Sequence, residues 1–222
     1  MNNLEVNIAK VQERVAVACQ RAGRPPAAVT VIAVTKTVAP ALIAAACELG
    51  IRHFGENRVQ EAAPKIKGLS YLEPRPTWHM IGHLQSNKAK TAIELFDMIH
   101  SVDSVRLTEV LSRHTHTNVP VLLEVNVAGE ASKTGFAVNE VETALSAIRR
   151  LPHLEVKGLM TIAPMAADAE VVRPVFRQLR LLRDRLGLEH LSMGMTDDFE
   201  VAIEEGATMV RIGRAIFGER NV

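Results

Sequence analysis

Residues 29–50 read VTVIAVTKTVAPALIAAACELG. Val29 to Val34 is a short β-branched run, the pattern of a strand buried on both faces, as strands of parallel sheets are. It ends at Thr35-Lys36-Thr37, so a lysine closes an apolar strand. Pro40 and Gly50 then bracket ALIAAACEL as a first-turn proline and a C-terminal glycine bracket a helix. A strand feeding a helix is one β/α unit, and the rest of the chain repeats it. Upstream, Leu4, Ile8, Val11, Val15, Ala18 and Cys19 recur at helical spacing until Gly23 and Pro25-Pro26 end the pattern, which predicts an amphipathic opening helix. Downstream, strands are expected near Arg52 to Gly55, Trp78 to Ile81, Met98 to Val102, Val119 to Val127, Leu154 to Met160, His190 to Met193 and Thr208 to Ile212. Helical stripes fall between them, with Val141, Leu145 and Ile148 on one and Val175, Leu179, Leu182 and Leu186 on another.

Eight strand and helix pairs in 222 residues suit an α/β fold closed as a single (β/α)8 TIM barrel with an added N-terminal helix. An open doubly wound sheet is the competitor. No linker or shift in composition divides the chain, and Lys67 to Thr77 is the only long polar insertion, so residues 1–222 are expected to form one domain.

Composition narrows the function. At 47% hydrophobic and 23% charged, with 13 Gly and 10 Pro, the chain is neither disordered, collagen-like nor coiled coil. With 26 Lys and Arg against 25 Asp and Glu, the net charge of +1 offers no broad attraction for nucleic acid or anionic lipid, which favours a small-molecule partner. Cys19 and Cys47 sit in helical segments without a ligand cluster around them, so neither a disulfide framework nor a metal site is expected. The start, MNNLEVNIAK, lacks the features of a signal peptide, and no apolar run approaches the length of a membrane span. A cytoplasmic location is expected.

In such a barrel the loops after the strands form the active face. Lys36 emerges there from apolar surroundings, and partial burial disfavours its charged form. A lysine with a lowered pKa attacks carbonyl groups and can form a Schiff base. Position alone leaves open the alternative of a lysine that extends from the core to water. Leu191-Ser192-Met193-Gly194-Met195-Thr196 occupies the turn after strand seven, ahead of a helix that Asp197 and Glu200 could open as a capping box. Val210-Arg211-Ile212-Gly213-Arg214 runs from strand eight into a short helical turn. Barrels commonly hold phosphate between these two loops. Each glycine turn alone has a plain structural reading. A reactive lysine across the mouth from a phosphate cup fits a ligand with one aldehyde and one phosphate, namely pyridoxal 5'-phosphate. Arg211 could reach its pyridine nitrogen, and would then keep that nitrogen unprotonated; a rim salt bridge is the other reading.

Val34-Thr35-Lys36, Phe54-Gly55-Glu56-Asn57-Arg58, Trp78-His79-Met80-Ile81-Gly82-His83-Leu84-Gln85, Gly158-Leu159-Met160, Ser192-Met193-Gly194-Met195 and Arg211-Ile212-Gly213 together resemble the pyridoxal phosphate homeostasis protein family, across nearly the whole chain. The resemblance implies a barrel like the N-terminal domain of alanine racemase, with Lys36 carrying the cofactor as an aldimine. It implies further that Asn57 lies near the cofactor, that Ser192 and Gly213 bind its phosphate within the Ser192-Met193-Gly194 turn and the strand-eight turn, and that Arg211 faces the ring nitrogen. The chain departs from the family at Arg214, where a threonine is common, so a hydroxyl donor to phosphate is in question there. Thr196, where a serine is frequent, keeps its hydroxyl.

Other signals carry less. Gly129-Glu-Ala-Ser-Lys133-Thr134-Gly135 lacks the glycine that a P-loop needs before its lysine. His79 and His83 are four apart, but on a strand that spacing does not pair them, and no third ligand is evident. His79 either lines the cofactor pocket or is a hydrogen-bonded rim histidine. Racemisation needs a second base, which alanine racemase takes from a tyrosine placed with the help of a further domain; the one tyrosine here, Tyr71, falls in the polar loop. A carrier that holds the cofactor and takes part in vitamin B6 balance is therefore expected, with no established catalytic residue, with apoenzymes as possible recipients and with the chain a monomer. The alternatives are a weakly active pyridoxal phosphate-dependent racemase or lyase, and a cofactor-free aldolase using Lys157.

Overall fold

The computed structural model describes residues 3–219. Its parallel strands are β1 (Thr30–Val34), β2 (His53–Glu56), β3 (Thr77–Met80), β4 (Met98–Val102), β5 (Val119–Glu124), β6 (Leu154–Met160), β7 (His190–Ser192) and β8 (Met209–Ile212). They close in sequence order into a barrel, β8 returning to pair with β1. Closure leaves no edge strand, so the open-sheet alternative is excluded. Helices α1 (Asn3–Arg21), α2 (Pro40–Glu48), α3 (Val59–Gly68), α4 (Ala89–Leu95), α5 (Val105–His114), α6 (Val141–Ile148), α7 (Arg173–Leu186), α8 (Phe199–Glu204) and α9 (Arg214–Phe217) cover the outside.

Helix α1 buries all six residues of its predicted stripe, Leu4 to Cys19. It packs on α8 and α9, where Arg14 pairs with Glu200 at 2.9 Å and stacks over Phe199, and Asn7 donates to the Ile216 carbonyl at 3.1 Å. The added helix thus braces the two last β/α connections. Helix α7 differs from its predicted stripe: Phe176, Leu179 and Leu182 are buried, while Val175 and Leu186 are only partly so. The larger apolar area of Phe176 wins the core-facing position. Strand β5 stops at Glu124 rather than Val127, because the chain turns back and Phe136 donates to the Glu124 carbonyl at 2.8 Å. The glycine-rich segment after it is a barrel loop, with the next helix starting only at Val141.

Side chains alternate in and out along each strand. Ala33, Phe54, Ile99, Leu123, Leu159, Val210 and Ile212 join the main core under the helices, whereas Ile32, Leu122, Met160 and Met209 form a separate apolar cluster. By the same period of two, Ile32 and Val34 point the way to Lys36, and Met209 to Arg211 and Gly213.

Candidate functional site

The mouth of the barrel brings the predicted residues together through register. Strand β1 sits between β2 and β8, with Val34 opposite Gly55 and Ala33 opposite Ile212. The three strands therefore release Lys36, Asn57 and Gly213 side by side at the same end. Lys36 is half-buried, and its neighbours are fixed on both sides. Thr35 is fully buried; its hydroxyl donates to Glu56 Oε1 at 2.7 Å, and its carbonyl accepts from Lys65 Nζ at 2.7 Å. Thr37 takes a positive φ of 63° and its backbone N–H donates to Glu61 Oε1. Lys65 ties the three together, reaching Glu56 at 2.9 Å and Glu61 at 2.8 Å. Burial pushes the Glu56 carboxyl above the usual carboxylate range against the pull of Lys65 and Thr35. For Glu61 burial acts the same way, but Lys65 and the Thr37 N–H outweigh it and the net shift is downward. This buried clamp was not anticipated from the sequence; Lys65, four residues after Glu61 on one helical face, was the available signal.

Asn57 is half-buried and its backbone lies against Gly82: a Cβ at 82 would stand 2.4 Å from the Asn57 carbonyl oxygen. Only glycine lets the turns after β2 and β3 approach so closely. Two strands from β1 in the other direction, beyond β8, Ser192, Met193 and Gly194 are all buried. Gly194 has φ 92°, and a Cβ there would meet Ala202 Cβ at 2.6 Å and Phe199 Cα at 2.9 Å. Its carbonyl accepts from the Arg211 N–H at 2.9 Å, which locks the β7 turn to β8. Gly213 stands at the start of α9, where the first amides have no intrahelical acceptor.

The predicted capping box does not form. Asp198 takes the N-cap position of α8 and its carboxylate accepts from the Met195 N–H at 2.6 Å, while Glu200 goes to Arg14. Asp197 is engaged by Arg214, whose guanidinium reaches its two oxygens at 2.6 and 2.7 Å in an exposed pair. Arg214 thus points towards the neighbouring loop.

Arg211 is buried, and among the described residues it makes no rim salt bridge. Its guanidinium donates to the Ser192 carbonyl at 2.8 Å, the Ser192 hydroxyl at 2.7 Å and the Thr161 carbonyl at 2.9 Å. Burial brings its pKa down to about 10, with Asp198 and Glu124 acting in the opposite direction. Glu124, held by the Thr134 hydroxyl at 2.8 Å, is itself pushed up by burial. His79 is neither at the rim nor paired with His83, which reaches Asp103 at 3.0 Å. It lies inside the barrel, with Nε2 3.0 Å from His53 Nδ1 and Nδ1 2.9 Å from His100 Nε2. His100 Nδ1 in turn is 2.9 Å from the Ser192 hydroxyl oxygen. Both ring nitrogens of His79 are therefore occupied by other histidines. His53 and His100 were not singled out in the sequence, yet with His79 they occupy inward positions of three successive strands, which placing the predicted strands in register would have shown. Lys157 is the central residue of β6, three residues before the strand's mouth end, and is paired with Glu155 at 2.6 Å.

A parallel barrel whose mouth gathers a lysine after β1 and glycine turns after β7 and β8 defines a class, and comparison with known proteins agrees: residues 6–221 match the family model for the N-terminal domain of alanine racemase. Two pyridoxal phosphate homeostasis proteins are near relatives, that of Pseudomonas aeruginosa at 45% identity over 100% of this chain and 97% of its own length, and that of Aquifex aeolicus at 44% over 99% of both. The chain belongs to the pyridoxal phosphate homeostasis protein family. Among solved structures, PipY of Synechococcus elongatus with pyridoxal phosphate bound is similar at a TM-score of 0.81 and 39% identity, covering 94% of this chain and 100% of that one. The alanine racemase of Corynebacterium glutamicum, at 21% identity and a TM-score of 0.69 over 96% of this chain and 61% of that one, shares the fold.

Proposed function

We propose that this protein holds pyridoxal 5'-phosphate covalently on Lys36 at the barrel mouth, as one binding domain spanning residues 1–222, and serves the cell's balance of that cofactor. The observation that carries the reading is the register that releases Lys36 between Asn57 and Gly213, with Arg211 on the adjacent β8 and the Ser192-Met193-Gly194 turn on the strand beyond it. The residues fit the group. A cofactor of this kind supplies an aldehyde that a deprotonated lysine amine can engage. Lys36 offers that amine from a turn clamped on both sides, and the first amides of α9 with the Gly194 turn offer N–H groups to a phosphate. Arg211, donating only, would keep a facing pyridine nitrogen unprotonated. Asn57 borders the same space, and Arg214, engaged by Asp197, stays at its edge.

The reading of the protein as a carrier rather than a two-base racemase is supported by Tyr71, which is 69% exposed in the connection between α3 and β3, at the end of the barrel opposite Lys36. No described helix is long and apolar enough to cross a membrane; the proposed role is that of a monomeric chain acting on apoenzymes in the cytoplasm. Borohydride reduction followed by peptide mapping tests the proposal: a phosphopyridoxyl group on Lys36 is expected, and Lys36→Ala should lose both it and the yellow colour. A wild-type protein that is colourless and takes up no added cofactor refutes it. Cα-proton exchange of alanine in deuterated water at a metabolically useful rate would instead support the racemase.

A further inference from the structure

We propose that His53, His79, His100 and Ser192 form a one-directional hydrogen-bond chain through the barrel that positions Arg211 and stabilises its charge, making the three histidines positioning residues for the cofactor site. The inference rests on the reading that Arg211 faces the cofactor ring. Its direction follows from donor chemistry. A guanidinium only donates, so at 2.7 Å the Ser192 oxygen must accept from Arg211. The hydroxyl hydrogen then has one neighbour left to serve, His100 Nδ1 at 2.9 Å. Were His100 to donate instead, that hydrogen would be buried without a partner. His100 Nδ1 is thus an acceptor and Nε2 carries the proton, which it donates to His79 Nδ1 at 2.9 Å. His79 likewise donates from Nε2 to His53 Nδ1 at 3.0 Å.

All three rings are suited to remain neutral. Burial is the main cause in each: it brings His79 down to about 3, His100 well below the usual histidine value, and His53 down as well. His53 is half-buried and lines a cavity of about 260 Å³ with Thr30, Gly50 and Arg52 at the strand starts, so the chain spans from that end of the barrel to the mouth. Each link presents its lone pair towards Arg211 and its N–H away. Among the described residues Arg211 has no ion-pair partner, and the groups that accept its hydrogen bonds are neutral oxygens. Beyond the longer-range pull of the Asp198 and Glu124 carboxylates, aligned neutral dipoles are what the barrel interior places against the hydrogen-bonding face of this buried cation.

Histidine nitrogen NMR on the cofactor-free protein at neutral pH tests the chain without reference to the ligand. All three rings should be neutral with the proton on Nε2; a cationic ring, or His100 protonated on Nδ1, overturns the proposal. Arg211→Met should release Ser192 and give His100 a mixture of tautomers, whereas Arg211→Lys, still a pure donor, should preserve the single form. No change in Arg211→Met would show that Arg211 does not set the direction. In protein loaded with nitrogen-labelled pyridoxal phosphate, His79→Phe, or the milder His53→Phe if the first fails to fold, should shift the ring-nitrogen resonance towards the protonated form and weaken retention about tenfold, the effect of one lost buried hydrogen bond. An unchanged resonance in a folded variant overturns the coupling to the site. If the wild type takes up no cofactor, the proposed function fails, while the tautomer measurements still judge the chain.

Discussion

Replacing Lys65 with Met keeps the side chain's length and removes the cation that joins Glu56, Glu61 and the Thr35 carbonyl. Glu56 is fully buried, and one of its carboxylate oxygens, Oε2, has no hydrogen-bond partner among the described residues. Without Lys65 that carboxylate keeps only the Thr35 hydroxyl. Breaking a buried pair in this way costs about 3–5 kcal/mol, which for a chain of this size lowers the melting midpoint by roughly 6–20 °C. The deficit must depend on pH. Burial already raises the Glu56 pKa, and loss of Lys65 removes an influence that lowers it. A carboxyl whose folded pKa lies above its unfolded value holds its proton more tightly in the folded state. The associated stability is therefore present at low pH and lost as pH rises from the unfolded value through the folded one. Thermal and urea unfolding of Lys65→Met should show the smaller deficit at pH 5 and the larger at pH 8, and Glu56→Gln in the same chain should recover part of it. Cofactor uptake should fall in parallel, because Thr35 and Thr37 flank Lys36. A loss below about 1 kcal/mol, equal at the two pH values, would refute the view of this cluster as a buried ionic clamp.

Gly194→Ala should destabilise by about 1–3 kcal/mol and weaken cofactor retention, since residue 194 has φ 92° and its Cβ would overlap Ala202 and Phe199; denaturant titration and cofactor release rates check both. Acid should unfold the protein partly through its buried histidines. The unfolded chain binds protons near pH 6.5, whereas folded His79 resists protonation until about pH 3; stability is complete above the unfolded value and declines below it by about 1.4 kcal/mol per pH unit for each such ring. Stability measured from pH 4 to 7 should therefore have a shallower slope in His79→Gln, and parallel slopes would contradict the assignment. Arg214→Thr should leave both melting midpoint and cofactor retention nearly unchanged, because the Arg214–Asp197 pair is exposed and such pairs contribute little.

Much of the fold was legible in local patterns. VTVIAV and its successors announce strands buried on both faces, the stripe from Leu4 to Cys19 announces α1, and Pro40 and Gly50 frame α2; each depends on neighbours a few residues apart, which sequence displays directly. The period of two also suffices to turn Arg211 inward, and the strand ends place Lys36, Asn57 and Gly213 in turns at the barrel mouth once the strands are known. What the linear chain could not reveal was which polar groups meet inside. Glu200 looked like a cap for its own helix but pairs with Arg14, because α1 folds back across α8. Ser192, which the resemblance implies as a phosphate ligand, has its hydroxyl between Arg211 and His100 from strands distant in sequence, a meeting no local pattern displays. The Lys65 clamp and the histidine chain likewise depend on barrel closure, which sets the register between strands and removes water from the interior. Hydrogen bonds between such groups are decided by that geometry and by the cost of leaving any buried donor or acceptor unmatched.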